Sequence, residues 1–211
     1  MIPLILKLKK TMHKDIAKAQ DLMVEELYKV FDRAVLHGGT AIWRCYKGNR
    51  FSEDVDTYLP RNVEKIELFF KNLKKRGFTI KKEKIGERSL FSVLQLNRAV
   101  VGFEAIFKSV EGELREYETA DGNLIIVYTL LPEELINEKV DTYLKRTKIR
   151  DLYDVFFLLR HIRDKVKIKE GLRKLIANFK RPVDEKELKV LIIEGLVPDA
   201  EKMLQYIKRY A

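Results

Sequence analysis

The sequence has little cysteine, little histidine and no long apolar run. Because Cys45 is the only cysteine, a disulfide within the chain is excluded, and this cysteine usage suits a reducing compartment. The three histidines, His13, His37 and His161, are scattered and have no cysteine partners, so we do not expect a zinc site. No apolar stretch approaches the length of a membrane span, and the apolar residues 2–6 are too few for a secretory signal. We therefore expect a cytoplasmic protein with no membrane partner.

The composition favours a folded protein with a polyanionic partner. Of the 211 residues, 46% are hydrophobic, which is typical of a chain that forms a core. Lysine and arginine number 42 against 32 aspartates and glutamates, so the net charge is +10. This surplus favours a nucleotide or an RNA over an acidic protein surface as the partner.

Glycines and paired aspartates occur in order within one short stretch. Gly38, Gly39 and Thr40 follow a short apolar run, and Asp54 and Asp56 come shortly after. This order predicts a strand, a glycine turn, a short helix and a second strand. Asp54 and Asp56 then share one face of the second strand, because side chains alternate along a strand.

This arrangement suits a nucleotide and a metal ion. Two adjacent carboxylates repel each other unless a cation lies between them. Mg²⁺ prefers oxygen ligands and often shares them with substrate phosphates. Glycines before a helix let backbone N–H groups approach such phosphates, and the helix N-terminus adds favourable partial charge. The stretch therefore predicts a nucleotide site.

The ordered set resembles a known enzyme family. Its motif is Gly38-Gly39-Thr40-Ala41, then Arg50-x-Ser52-x-Asp54-x-Asp56. This motif is similar to that of the nucleotidyltransferases of the DNA polymerase β superfamily, above all to the AbiEii/AbiGii-type toxins of toxin–antitoxin systems. The resemblance implies an α+β fold, with a polymerase β-type core of mixed β-sheet and helices at residues 1–131 and a helical subdomain packed on it at residues 132–211. It also implies a nucleotide-binding set: Gly38, Gly39, Thr40, Arg50, Ser52 and Lys139.

A third metal ligand is predicted on another strand. Glu104 is the one acid in the apolar stretch 100–107, where an unpaired charge is costly. Gly102 shares its face and leaves room for a ligand. In the superfamily the third acid lies on a strand beside the Asp-x-Asp strand, so the resemblance implies that Asp54, Asp56 and Glu104 hold Mg²⁺ or Mn²⁺. The alternative is an edge strand on which Glu104 points to water.

A second motif lies towards the C-terminus. The residues that it shares with the toxin family are Leu135, Lys139, Arg146, Arg150-Asp151 and Asp154, while Thr142 stands where the family usually has Ala. Helical spacing places Lys139, Arg146, Arg150 and Asp154 roughly on one side. The resemblance implies that Lys139 contacts phosphate and that Asp154 acts in the active site, as a base or as a positioner of Lys139. The alternative is an ion-paired helix surface.

Periodicity predicts helices in the first and last thirds of the chain and strands between them. The predicted helices are 11–33, with Thr11 as N-cap, 63–76, closed by Gly77, 133–145, 149–161, 168–179, 185–194, with Asp184 as N-cap, and 199–210. The predicted strands after the aspartate pair are 78–84, 90–96, 100–107 and 124–128.

The implied reaction is nucleotidyl transfer. Asp54, Asp56, Lys139 and Asp154 are its predicted catalytic residues, and Arg50 and Lys139 stabilise charge on the phosphates of the NTP. The resemblance implies an acceptor hydroxyl on a tRNA-like RNA or on a protein, and a cognate antitoxin as a further partner. Two alternatives remain open: a protein that binds NTP without transferring it, and an RNA-binding or partner-binding scaffold on the same fold.

Overall fold

The computed structural model describes residues 2–211, which form two compact units. The first unit runs from the start of the described chain through Lys47 and continues over Phe51–Thr129. The second unit consists of Gly48–Arg50 and Leu130–Ala211. The division into residues 1–131 and 132–211 stays a prediction, and it does not anticipate that Gly48–Arg50 belongs with the helical unit. No helix within residues 2–211 is both long and apolar enough to cross a membrane.

The first unit contains four helices and seven strands within the described residues. They are α1 (Leu4–Lys7), α2 (Thr11–Val30), β1 (Val35–His37), α3 (Gly38–Cys45), β2 (Val55–Leu59), α4 (Val63–Lys75), β3 (Thr79–Ile85), β4 (Ser89–Leu96), β5 (Ala99–Phe107), β6 (Glu113–Glu118) and β7 (Leu124–Thr129). The strands form one sheet in the order β3-β4-β5-β2-β1-β7-β6. The pairs β2–β5 and β1–β7 are parallel and the other pairs are antiparallel, so the predicted mixed sheet is confirmed.

Alternating burial explains how the sheet meets its helices. Val101, Phe103 and Ala105 of β5 are buried, whereas their neighbours on the other face are more exposed. The Phe69 ring of α4 lies 4.9 Å from the Phe103 ring, between centroids, so α4 packs on the buried face. Cys45 of α3 is also buried, and burial raises the pKa of its thiol to about 12.

Three local predictions for the first unit need correction. Helix α2 begins at Thr11 and its N-cap is Lys10, so Thr11 is not the cap. The predictions omit α1 and the edge strand β6. Charged residues dominate β6, and its one partner in the sheet is β7, so neither hydrophobicity nor a regular alternation reveals it.

The second unit is helical. Its helices are α5 (Pro132–Arg146), α6 (Ile149–Leu158), α7 (Val166–Ala177), α8 (Leu188–Leu191) and α9 (Ala200–Ile207), with 3₁₀ turns at Glu185–Glu187 and Lys208–Tyr210. The chain reverses between α5 and α6 at Thr147, which has a φ of +49°, so the second motif does not follow one continuous helical path. The Asp184 carboxylate accepts a hydrogen bond from the Ile149 amide at 2.7 Å, so it caps α6 and makes no side-chain capping bond to its own turn.

Candidate functional site

The carboxylate pair lies at the start of β2, beside two neighbouring strands. Asp54 directly precedes β2, and Asp56 is half-buried within it. Asp56 is in register with His37 of β1 on one side and with Glu104 of β5 on the other. Val55 and Thr57 point into the core, so the predicted sharing of a face by the two aspartates follows from the pleat.

Gly38 leaves the space that the Asp56 side chain occupies. A Cβ at position 38 would lie 2.8 Å from Asp56 Cγ and closer still to its Oδ2. Gly38 also has a φ of +68°, a backbone conformation that favours glycine. It is the first residue of α3, so the Asp56 carboxylate lies against the N-terminal turn of that helix. The Asp56 side chain makes no hydrogen bond or ion pair with any other described residue, which leaves its oxygens available to a cation.

Gly102 has the same relation to Asp54. A Cβ at position 102 would lie 3.1 Å from Asp54 Cγ and closer still to its Oδ1. The space above Gly102 was expected to receive a ligand, and it receives the Asp54 carboxylate instead. Two glycines on different elements therefore allow the two aspartates to lie side by side.

Thr40 connects the glycine turn to the strand that carries the aspartates. Thr40 is buried, and its hydroxyl donates a hydrogen bond to the backbone carbonyl of Asp54. The buried amide of Gln20 donates to the Ser52 carbonyl at 2.9 Å and lies 3.4 Å from the Thr40 hydroxyl. These bonds hold the segment before β2 in place. The predicted contacts of Gly39, Thr40 and Ser52 with a nucleotide stay predictions.

The donor set is compatible with a metal ion bound by the aspartate pair. Mg²⁺ is usually held by one or two carboxylates together with waters and substrate phosphates. Asp54 and Asp56 supply such a pair. Glu104 of the neighbouring strand β5 is in register with Asp56 and lies on the same face. Within residues 2–211, no three Asp, Glu, His or Cys side chains lie close enough together to hold a metal by themselves. The three-carboxylate set therefore stays a prediction, and the pair is the part that the geometry supports.

A second cluster of charged side chains lies within the helical unit. Arg50 is buried and makes two parallel contacts with Asp154, from Nε to Oδ1 and from Nη2 to Oδ2, both at 2.5 Å. Lys139 Nζ lies 2.9 Å from Asp154 Oδ2, and the same ammonium lies 3.6 Å from Asp151 Oδ1. The sequence predicted that the Arg50 guanidinium binds a phosphate. In the structure it is paired with the Asp154 carboxylate of its own unit.

Asp151 completes this cluster. It is fully buried and receives two bonds from Arg146, at 2.7 and 2.8 Å. Arg150, grouped with these residues by its spacing, makes no ion pair with a described residue. The cluster of Arg50, Lys139, Arg146, Asp151 and Asp154 thus combines three cations with two anions, so its formal charge is +1.

The two cations beside Asp154 keep it ionised. Burial alone raises the pKa of this carboxyl, but Arg50 and Lys139 together lower it below its ordinary value of 3.8. The pKa of Arg50 is raised: burial opposes its charge, and Asp154 outweighs that effect. A carboxylate of such low basicity is better suited to positioning cations than to accepting a proton.

Two polar residues that organise these sites, Asp151 and Gln20, had no predicted role. Asp151 belongs to the second motif and is the one acid in the first turn of α6, a signal that could have marked it. Gln20 gave no such signal, because its partners lie 20 and 32 residues further along the chain.

Comparisons with known proteins agree with this architecture. A family model described as "Nucleotidyl transferase AbiEii toxin, Type IV TA system" matches residues 21–209. The solved structure of MenT4, nucleotidyltransferase toxin Rv2826c from Mycobacterium tuberculosis H37Rv, is similar with a TM-score of 0.67 and 20% identity over 99% of this chain and 86% of that chain. JHP933 from Helicobacter pylori has a TM-score of 0.65 and 18% identity over 95% of this chain and 90% of that chain. No curated protein matches the chain significantly in sequence.

Proposed function

Because the chain belongs to the AbiEii family of nucleotidyl transferase toxins, we propose that it transfers a nucleoside monophosphate from an NTP to a hydroxyl of an RNA or a protein. The observation that carries the proposal is the Asp54–Asp56 pair, which Gly38 and Gly102 accommodate from two sides. The family's description as the toxin of a type IV toxin–antitoxin system also supports a cognate antitoxin as partner.

Asp54 and Asp56 would hold a divalent cation, Mg²⁺ or Mn²⁺, together with the phosphates of the NTP. Such an ion, when bound, offsets phosphate charge and lowers the pKa of an acceptor hydroxyl. Asp56 is suited to this role because its carboxylate lies beside the N-terminal turn of α3, where backbone N–H groups favour negative charge. Glu104, which is in register with Asp56 on the neighbouring strand β5, is the proposed third ligand.

In the proposed reaction the acceptor oxygen forms a bond to the α-phosphorus. The bond from that phosphorus to the bridging oxygen of the β-phosphate breaks, pyrophosphate leaves, and the hydroxyl proton passes to water or a nearby carboxylate. Thr40 contributes by fixing the Asp54 backbone, through the hydrogen bond from its hydroxyl to the Asp54 carbonyl. This bond limits the movement of the carboxylate pair during the reaction.

The charged cluster of the helical unit has a proposed role of its own. Lys139 is the predicted phosphate contact, and Asp154 fixes its ammonium at 2.9 Å. Because Arg50 and Lys139 keep Asp154 ionised, we assign Asp154 the role of positioner and not that of base. Arg50 then serves chiefly to compensate the buried charge of Asp154.

In the test, the enzyme is incubated with Mg²⁺ and NTPs labelled at the α-phosphate, and total RNA and total protein are offered as acceptors. We expect the wild type to release pyrophosphate and label an acceptor, and Asp56→Asn to do neither. The matched control is Glu67→Gln, which removes one exposed carboxylate on α4 of the same unit and should leave transfer unchanged. Equal labelling by wild type and Asp56→Asn would contradict the proposed site, and NTP binding without pyrophosphate release would point to a regulator.

A further inference from the structure

The sheet of the first unit has a second face, which carries the carboxylate pair and continues outward to its edge. Residues in register on neighbouring strands point to the same face of a sheet. Asp56 of β2 is in register with Glu104 of β5, Glu104 with Phe91 of β4, and Phe91 with Lys84 of β3. One row of side chains therefore leads from the proposed metal ligands to the edge strand. Neighbouring strands lie about 4.8 Å apart, so the row is about 14 Å long.

An adjacent row has the same chemical order. Gly102, over which Asp54 lies, is in register with Val93 of β4, and Val93 is in register with Lys82 of β3. In both rows an acidic position is followed by an apolar side chain and then by a lysine. The rows differ in that the apolar residue of the first one is aromatic.

The middle of this face is apolar and accessible. Val100 and Ile106, which share the face of Glu104 on β5, are 48% and 41% exposed. Phe91 and Val93 are half-buried, so part of each side chain also remains accessible. Exposed apolar side chains that lie together mark an interaction surface more often than scattered ones do.

The edge of this face is positively charged. Lys82 and Lys84 are exposed, and neither forms an ion pair with a described residue. The Lys82 ammonium lies 5.3 Å from the centroid of the Phe91 ring, so it reaches over the sheet face. Edge strands often carry lysines that prevent aggregation, so the two charges alone do not identify a ligand. The orientation of Lys82 favours a ligand that has both an aromatic ring and a negative charge.

We propose that this face, formed by β5, β4 and β3, binds the single-stranded end of a polynucleotide acceptor. The Lys82 ammonium moves from the Phe91 ring to a backbone phosphate, so that a base stacks on Phe91, and Lys84 contacts a second phosphate. Aromatic side chains bordered by cations are the usual means of binding single strands, because every base has a face that can stack and every nucleotide carries a phosphate. The row from Lys84 to Asp56 then directs the terminal hydroxyl towards the carboxylate pair. The inference rests on the proposed function, for which it selects a polynucleotide over a protein as acceptor.

The first test measures binding of a labelled single-stranded RNA, and of a DNA of the same sequence, by fluorescence anisotropy at several salt concentrations. The test variant is Lys82→Gln/Lys84→Gln. Its matched control is Lys71→Gln/Lys75→Gln, which removes two exposed charges that form no ion pair with a described residue and that belong to α4, on the other face of the sheet. Each phosphate contact on a single strand contributes about 0.7 to the slope of log K against log salt concentration. The slope of the test variant should therefore be smaller by about 1.4. The control should keep the wild-type slope.

The second test concerns the aromatic ring. Phe91→Leu keeps an apolar side chain and removes the stacking surface, so we expect binding about tenfold weaker. Phe91→Trp keeps a stacking surface and should bind at least as tightly as the wild type. Tighter binding of RNA than of DNA would show that the 2′-hydroxyl is also recognised, and equal binding would show recognition of bases and phosphates alone.

Three results would overturn the inference: no binding of either strand by the wild type, equal losses in the test and control lysine pairs, or label transfer to a protein acceptor. The proposed function is tested separately by Asp56→Asn, which should bind the strand normally and transfer no label. Transfer that is insensitive to Lys82, Lys84 and Phe91 would remove the inference alone. Binding through this face without any transfer by the wild type would remove the proposed function and, with it, the role of the strand as acceptor, while the binding surface would stand.

Discussion

The Asp54 carboxylate occupies the space in which a side chain at position 102 would stand. A Cβ on Gly102 would lie 3.1 Å from Asp54 Cγ and closer still to Oδ1. The pairing of β2 with β5 brings these residues together, since Val55 is in register with Phe103. The position of a proposed metal ligand therefore depends on a residue that has no functional group of its own.

Replacing Gly102 by alanine is expected to reduce transfer about 100-fold, since a displacement of about 1 Å at a reacting centre has an effect of this size. Stability should change little, because the atoms in conflict belong to the end of a side chain that can rotate away. Steady-state transfer rates and thermal unfolding would measure both effects. Gly86→Ala is the control, because its Cβ would meet its nearest atom, the Ser89 carbonyl oxygen, at an ordinary 3.4 Å. A Gly102→Ala protein with wild-type rates would contradict the assigned position of Asp54.

Removing the Asp154 side chain is expected to destabilise the protein strongly. Asp154→Ala leaves Arg50 and Lys139 without their shared buried carboxylate, which should cost about 3–5 kcal/mol in the free energy of unfolding. Asp141→Ala breaks an exposed pair with Lys174 and should cost about 1 kcal/mol or less. Urea denaturation of the two variants checks the difference. Equal costs would show that the cluster is not the buried network described above.

The pH dependence of stability should report the ionisation of Asp154. Burial alone raises its pKa, but Arg50 and Lys139 lower the folded-state value below 3.8. The unfolded state therefore binds more protons in this range, so the contribution of Asp154 to stability is present above its ordinary pKa of 3.8 and is lost as the pH falls through the lower folded-state value. As the pH falls below 3.8, the advantage of the wild type over Asp154→Asn should shrink. Thermal unfolding of both proteins over this range measures it, and a constant difference would refute the assignment.

Thr40 is expected to act through the backbone of Asp54. Thr40→Val leaves the Asp54 carbonyl without its hydroxyl donor, which should cost about 1–3 kcal/mol in stability and lower kcat. Thr40→Ser retains the donor and should restore both properties. If the hydroxyl instead contacted only the nucleotide, Thr40→Val would raise KM for NTP with unchanged stability. Chemical denaturation together with kcat and KM separates the two cases.

Removing divalent cations with a chelator is expected to abolish label transfer, and added Mg²⁺ or Mn²⁺ should restore it. Asp54→Asn weakens one of the two proposed ligands, so a higher Mg²⁺ concentration should be needed for half-maximal transfer. The charged cluster of the helical unit is unchanged in this variant, which makes its thermal unfolding a check on the fold. Transfer that persists in the chelator would exclude a metal-dependent reaction.

Local sequence patterns were sufficient to predict most helices and strands of the first unit. The alternation of residues 100–107 predicted β5, and the apolar spacing of residues 63–76 predicted α4, because burial on one face imposes a period on the chain. The order of the glycines and aspartates likewise predicted the family, while the roles of these residues stay predictions. The strand β6 was not predicted, because its pairing with β7 is visible only in the sheet.

The sequence by itself determined which residue types meet at the carboxylate pair, since the spacing of two aspartates in a strand fixes the face that they share. Only the tertiary structure decided which groups several other side chains contact. Arg50 is 104 residues from Asp154, and its guanidinium pairs with that carboxylate because burial of either charge requires the other. The space above Gly102 went to Asp54 for a similar reason: contacts between distant segments depend on register and packing, which no local pattern encodes.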